Sequence, residues 1–131
     1  MLWHPAADAE RAAILDASER NAIQHAREKL EALGPQLGAP HTSAIRGEGG
    51  SGMRELRPRA GRSRWRPIYR RVQPRTFVIL AIAPEAQIDK RGFDQKVANA
   101  WQRFDELEPA TPDQTYYNKL AIMPVRRKGT A

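Results

Sequence analysis

The eight residues from Thr76 to Ala83 (TFVILAIA) contain no polar side chain after the threonine. A strand with one wet face alternates polar and apolar residues, so an unbroken apolar run is expected of a central strand covered on both faces. Whatever fold this chain adopts must therefore be assembled around that strand. At 131 residues the chain fits one domain of ordinary size, long enough to bury a real core.

The sequence on either side supplies the partners. Pro5 suits the first turn of a helix running to about Ala13. Asp16 followed three residues later by Glu19 has capping-box spacing, and Ile23, Ala26, Leu30 and Leu33 then share one helical face. Gly34-Pro35 ends that helix. From Gly38 the texture changes to turns and short strands. Strands are expected over Thr42–Arg46, over 53–58 (MRELRP) and over Arg64–Val72, with turns at 47–52, around Gly61 and at Gln73-Pro74-Arg75. In the second of these strands Met53, Glu55 and Arg57 share one face, and Arg54 and Leu56 the other. Pro67 donates no ladder hydrogen bond, so a bulge or a non-bonding position is expected near it. A last helix follows Asp89, with Phe93, Val97, Ala100, Trp101, Phe104 and Leu107 at helical spacing as core. Residues 108–131, with three prolines and a basic end, read as an extension that is flexible or extended rather than part of the domain at 1–107.

Charge is distributed unevenly. Ten arginines and no lysine fall between Arg46 and Arg75, opposed only by Glu48 and Glu55, so this window carries +8 and the rest of the chain −1. Excess of arginine over lysine (17 to 5) is also what a GC-rich coding sequence produces, but that does not explain clustering. A dense arginine block interleaved with Met53, Leu56, Trp65, Ile68, Tyr69 and Val72 places its charge on folded strands and points to phosphate or carboxylate. A face bearing Arg57, Arg64, Arg66 and Arg70 can hold a polynucleotide backbone through bidentate contacts. Arginines gathered round one scissile phosphate would also stabilise the charge that develops during attack by a neighbouring 2′-hydroxyl, each donor contributing about 3 kcal/mol. Tyr69 has two readings. With a bulge at Pro67 it joins that face; without one it is a core or rim residue.

Other chemistries find little support. There is no cysteine, which removes disulfides and thiolate sites, and His4, His25 and His41 lie in separate elements without a metal-ligand motif. The glycines at 47–52 lack the lysine and helix of a phosphate loop, and no Gly-x-Ser-x-Gly elbow occurs. No stretch approaches the roughly 18 apolar residues of a membrane span, and the start of the chain has no basic-then-apolar leader pattern. A cytoplasmic protein without cofactor or membrane partner is the expectation.

Leu-Gly-x-x-Leu-x-x-Pro at 33–40, Gly-x-x-Glu-Leu-Arg at 52–57 and Arg-x-x-Tyr at 66–69, in this order across residues 1–107, resemble the RelE/ParE toxin superfamily, in particular its phage-derived, HigB-like branch. The resemblance implies an α+β domain: an N-terminal helical hairpin, a small antiparallel sheet and a C-terminal helix. It implies the toxin of a type II toxin–antitoxin pair, neutralised by a helix-turn-helix antitoxin. The activity implied is ribosome-dependent mRNA cleavage by 2′-hydroxyl attack, without metal. Carried onto matching positions, it marks Arg57, Arg66 and Tyr69 as catalytic, with Arg54, Arg59, Arg62, Arg64 and Arg70 beside them as RNA contacts. One departure stands out. After the fourth strand, where such toxins often carry a basic or His/Tyr group, this chain has Ala83-Pro84-Glu85. Glu85 is either a replacement acid–base group or a salt-bridge residue. The alternatives to an endoribonuclease are a non-catalytic, ParE-like inhibitor, as of DNA gyrase, and an RNA- or ribosome-binding module of the same fold.

Overall fold

The computed structural model describes residues 2–46 and 52–107. Its elements run β1 (Leu2–Trp3), α1 (Pro5–Ala12), α2 (Ala17–Leu33), β2 (Thr42–Ala44), β3 (Arg54–Leu56), β4 (Trp65–Gln73), β5 (Thr76–Pro84) and α3 (Lys90–Leu107), with short 3-10 turns at Gly34–Gln36 and Pro58–Gly61. The expected α+β architecture is present. The expected turn at 47–51 and the extension at 108–131 lie outside the described residues.

Local signals explain the helix ends. Pro5 occupies the first turn of α1, and His4 caps it: its Nδ1 accepts from the Ala6 N–H at 3.0 Å. Asp16 caps α2 by accepting from the Ser18 N–H at 2.8 Å. Glu19 does not complete a capping box; its carboxylate is taken up by the 59–63 turn instead. Gly34 ends α2 at φ 56°, a conformation that glycine adopts without a side-chain penalty. Asp89, just before α3, accepts from the Gly92 N–H at 2.9 Å.

The sheet order is β1-β5-β4-β3-β2. Four strands are antiparallel, and the two-residue β1 adds to β5 in parallel. β5 is interior, as its sequence demands. On one face Phe77, Ile79 and Ile82 pack with Ile23, Leu30, Leu56 and Tyr69 under α1 and α2. On the other, Val78, Leu80, Ala81 and Ala83 pack with Phe93, Val97, Ala100 and Phe104 of α3. Leu33, expected in the α2 stripe, is the last residue of the helix and is 44 % exposed.

The irregularity expected at Pro67 falls one step later and on the neighbouring strand. Ile68 pairs with Ala81 and Tyr69 with Ile79, so Leu80 is the extra residue of a bulge in β5. Pro67 itself stays in register opposite Ile82. The bulge lets Leu80 and Ala81 both face α3. Two helices bond to backbone groups at and just beyond the bulge. Glu10 of α1 accepts from the Ile82 N–H at 3.0 Å, and Arg103 of α3 donates to the Leu80 carbonyl at 2.8 Å. Glu10 also pairs with Arg103 at 2.7 Å and with Lys96 at 2.6 Å. Burial raises the Glu10 carboxyl, but the bonds from Arg103, Lys96 and Ile82 outweigh it and hold the group below its ordinary value.

His4 is wholly buried beside this clamp. Burial, reinforced by the Arg103 charge and opposed by Glu10, lowers its pKa from 6.5 to about 4. The unfolded chain therefore takes up a proton first as pH falls, and stability drops between about pH 6.5 and 4, at no more than about 1.4 kcal/mol per pH unit. His4→Asn keeps a capping oxygen and does not titrate. Urea unfolding followed from pH 6.5 to 5 should show a shallower loss in this variant than in the native chain.

Candidate nucleic-acid interface

β4 presents its arginines to two faces. Arg66 and Arg70 share the α3 side with Ile68, whereas Trp65, Tyr69 and Arg71 alternate to the α1/α2 side. The bulge in β5 leaves that parity intact, and this decides the fate of Tyr69. Its ring is buried against Phe77 (centroids 5.8 Å apart), and its hydroxyl bonds to the Thr42 hydroxyl at 2.7 Å. The structure thus favours the core reading of Tyr69, whose buried ring forms part of the floor of a groove beside Arg54 and Arg70.

Arg66 differs more sharply from the expected phosphate contact, being 1 % exposed. Its guanidinium donates to the carbonyls of Gly61 (2.9 Å), Trp65 (3.1 Å) and Ser63, and lies 3.6 Å from Glu85. Burial lowers its pKa, with Glu85 opposing. Four acceptors inside the protein occupy this side chain, so it fastens the 57–66 segment rather than facing a ligand. Glu85 accordingly takes the salt-bridge role. Arg70 lies over the rings of Trp101 and Phe104, 5.1 and 4.9 Å from their centroids, and anchors α3 to β4.

The turn that Arg66 fastens is strained and highly determined. Arg59 and Ala60 both have φ near 55°, unusual for residues with a side chain. Gly61 has φ 92°, and a Cβ there would come within 2.8 Å of the Arg57 guanidinium. From α2, Glu19 holds the turn by an ion pair to Arg59 at 2.8 Å and a bond from the Ser63 hydroxyl at 2.5 Å. Arg59 also donates to the Ser18 carbonyl.

This arrangement forms a groove of about 470 Å³ between α2 and the 57–62 segment. Arg57, Arg59 and Arg62 line one wall; Asn21, His25 and Lys29 line the other, with His41 alongside. No carboxylate is among the lining residues. The structure therefore brings together three of the expected arginines and adds two histidines and a lysine from elements that seemed unrelated. A signal for them was available: Asn21, His25 and Lys29 recur every four residues and share one side of α2. The other expected residues fall into two further grooves. Arg64 borders one with Trp65 and Lys96, whereas Arg54, Tyr69 and Arg70 together line another with Arg71 and Phe77. Among the described residues no cluster could hold a metal ion, and no helix is long and apolar enough to cross a membrane.

A two-faced sheet with a basic groove at its helical-hairpin side defines a small α+β protein. The pattern of the phage-derived protein Gp49-like family (DUF891) matches residues 13–105, and the chain belongs to that family, a toxin-like group related to RelE/HigB-type toxins. Neither curated proteins nor solved structures gave a match.

Arg66 is predicted to matter for stability before any ligand binds. Arg66→Ala leaves three carbonyls and Glu85 without their donor, and should cost about 3 kcal/mol in urea unfolding.

Proposed function

We propose that the protein is the toxin of a type II toxin–antitoxin pair that acts in the cytoplasm on mRNA at the ribosome, cutting it as an endoribonuclease, with a helix-turn-helix protein as its antitoxin. The observation that carries this reading is the carboxylate-free groove of Arg57, Arg59, Arg62, Lys29, His25 and His41 in a member of the Gp49-like family. A groove lined by cations on a rigid frame suits the continuous charge of a polynucleotide backbone. Guanidinium groups there can hold phosphate oxygens in two directions at once.

The arginines have unequal parts in this reading. Arg57, Arg59 and Arg62 meet RNA. Arg66 and Tyr69 position the frame: the first holds the 57–66 segment, and the second ties β4 to β2 through Thr42. Arg54, Arg64 and Arg70 extend the positive field but stand outside the groove.

The test is twofold. Induced expression followed by mapping of mRNA 5′ ends should show cuts positioned by the reading frame; growth arrest without such cuts would instead support gyrase-type inhibition. In binding assays with single-stranded RNA, Lys29→Ala and Arg62→Ala should each weaken affinity regardless of sequence. Each should also flatten the dependence of log K on log salt by about 0.7 per lost phosphate contact. An unchanged slope would refute the groove as the binding site.

A further inference from the structure

The open end of the sheet carries a second cluster of charge, apart from the lining of the basic groove. Glu55 of β3 pairs with Ile68 in register and so faces α3, and its side chain is 13 % exposed. Arg57 donates to its Oε1 at 3.2 Å. Arg66 of β4 stands close enough to stabilise its charge, yet spends its own donors on Gly61, Ser63, Trp65 and Glu85. Among the described residues, Oε2 of Glu55 has no hydrogen-bond partner. Glu55 borders a groove of about 530 Å³ between β2 and α3, which Ser43, Arg46 and Lys90 also line and where Asp94 pairs with Lys90 at 2.8 Å. The edge strand β2 separates this groove from the basic one. Arg57 belongs to both sides, lining the basic groove and pairing with Glu55.

We infer that Glu55 is the proton-accepting catalytic residue, and that RNA passes from the basic groove around the β2 edge so that its scissile phosphate meets Arg57 and the adjoining ribose meets Glu55. This deepens the function proposed above and rests on it. In the reaction the 2′-hydroxyl gives its proton to Glu55 Oε2 as its oxygen bonds to phosphorus. The bond from phosphorus to the 5′-oxygen breaks, and the departing oxygen takes a proton from water. The products are a 2′,3′-cyclic phosphate and a 5′-hydroxyl end, and Glu55 then returns its proton to solvent. Arg57 and Arg46 are placed to offset the charge that builds on phosphate.

Protonation supports the assignment. Burial pushes the Glu55 carboxyl above its ordinary value; Arg66 and Arg57 pull it down, and Glu85 adds to the upward shift. A carboxylate raised in this way is a better base near neutral pH than an exposed one. No basic residue at the end of β5 is then required, because the group that accepts the proton comes from β3.

The experiment uses the full chain with ribosomes and mRNA, comparing the native protein, Glu55→Gln and the exposed Asp105→Asn as control. Glu55→Gln should lower the single-turnover cleavage rate by about a hundredfold or more, with RNA affinity within twofold of native, and should remove the acidic limb of the pH–rate profile. The control should behave as the native chain. Independently of activity and of any variant, the carboxyl carbon of Glu55 in the native chain should titrate above the ordinary glutamate range by NMR. A native chain that cuts RNA while Glu55→Gln cuts as fast with the same profile overturns this assignment alone. Titration at or below the ordinary value overturns it as well. A native chain that cuts no RNA overturns the nuclease function and this assignment with it.

Discussion

β5 is apolar on both faces, and each face has to be covered by a different part of the chain. The bulge at Leu80 shifts the alternation, so that Ile79 and Ile82 face the N-terminal helices while Leu80 and Ala81 both face α3. A bulge also leaves backbone groups without ladder partners, and buried polar groups of that kind cost about 1–3 kcal/mol each. Arg103 meets that requirement at the Leu80 carbonyl, while Glu10 accepts from the Ile82 N–H two residues on, and the two side chains pair with each other from opposite layers. The clamp thus joins α1, β5 and α3, and the positions of β4, β3 and the 57–62 turn follow from where β5 is held. His4 lies buried next to it, and burial keeps it neutral in the folded state until the pH falls to about 4.

The arginine block is less a uniform charged face than a set of separate roles. Arg66 is internal scaffolding, Arg70 is a stacking anchor on α3, and Arg59 and Arg57 are each paired with a glutamate. These pairings offset much of the mutual repulsion that ten clustered arginines would otherwise bring into a folded state. They also stiffen a turn with two residues at positive φ, which is where the basic groove has its wall. A strained backbone held by surrounding contacts presents its side chains in one arrangement, which suits a surface that must fit a phosphate chain.

In the proposed function the cost of RNA binding falls on few residues. Lys29, His25 and Asn21 ride on a capped helix, and Arg59 and Arg62 on a turn fastened from behind by Glu19 and Arg66. Little has to be ordered when the ligand arrives. The chemistry assigned to Glu55 uses the other side of the same edge, so binding and proton transfer would be separable by mutation.

Much of the fold was legible in the sequence because it depends on local signals. Pro5, Asp16, Gly34 and Asp89 bound the helices, the spacing of Ile23 and Leu30 set the buried side of α2, and the run at 76–83 required an interior strand. Arg57, Arg59 and Arg62 were likewise recognisable as clustered cations. Three matters were decided only by tertiary structure, because each depends on residues far apart in the chain. The bulge fell at Leu80 rather than Pro67, where Arg103 of α3 bonds to the Leu80 carbonyl. Arg66 and Tyr69 turned inward, since Glu85 and three carbonyls meet one and Thr42 the other. His25, Lys29 and His41 joined the arginines, since α2 packs across the 57–62 turn. Local sequence determined which residues were helical, extended or cationic; long-range packing determined which of those cations line the groove and which are buried as scaffolding.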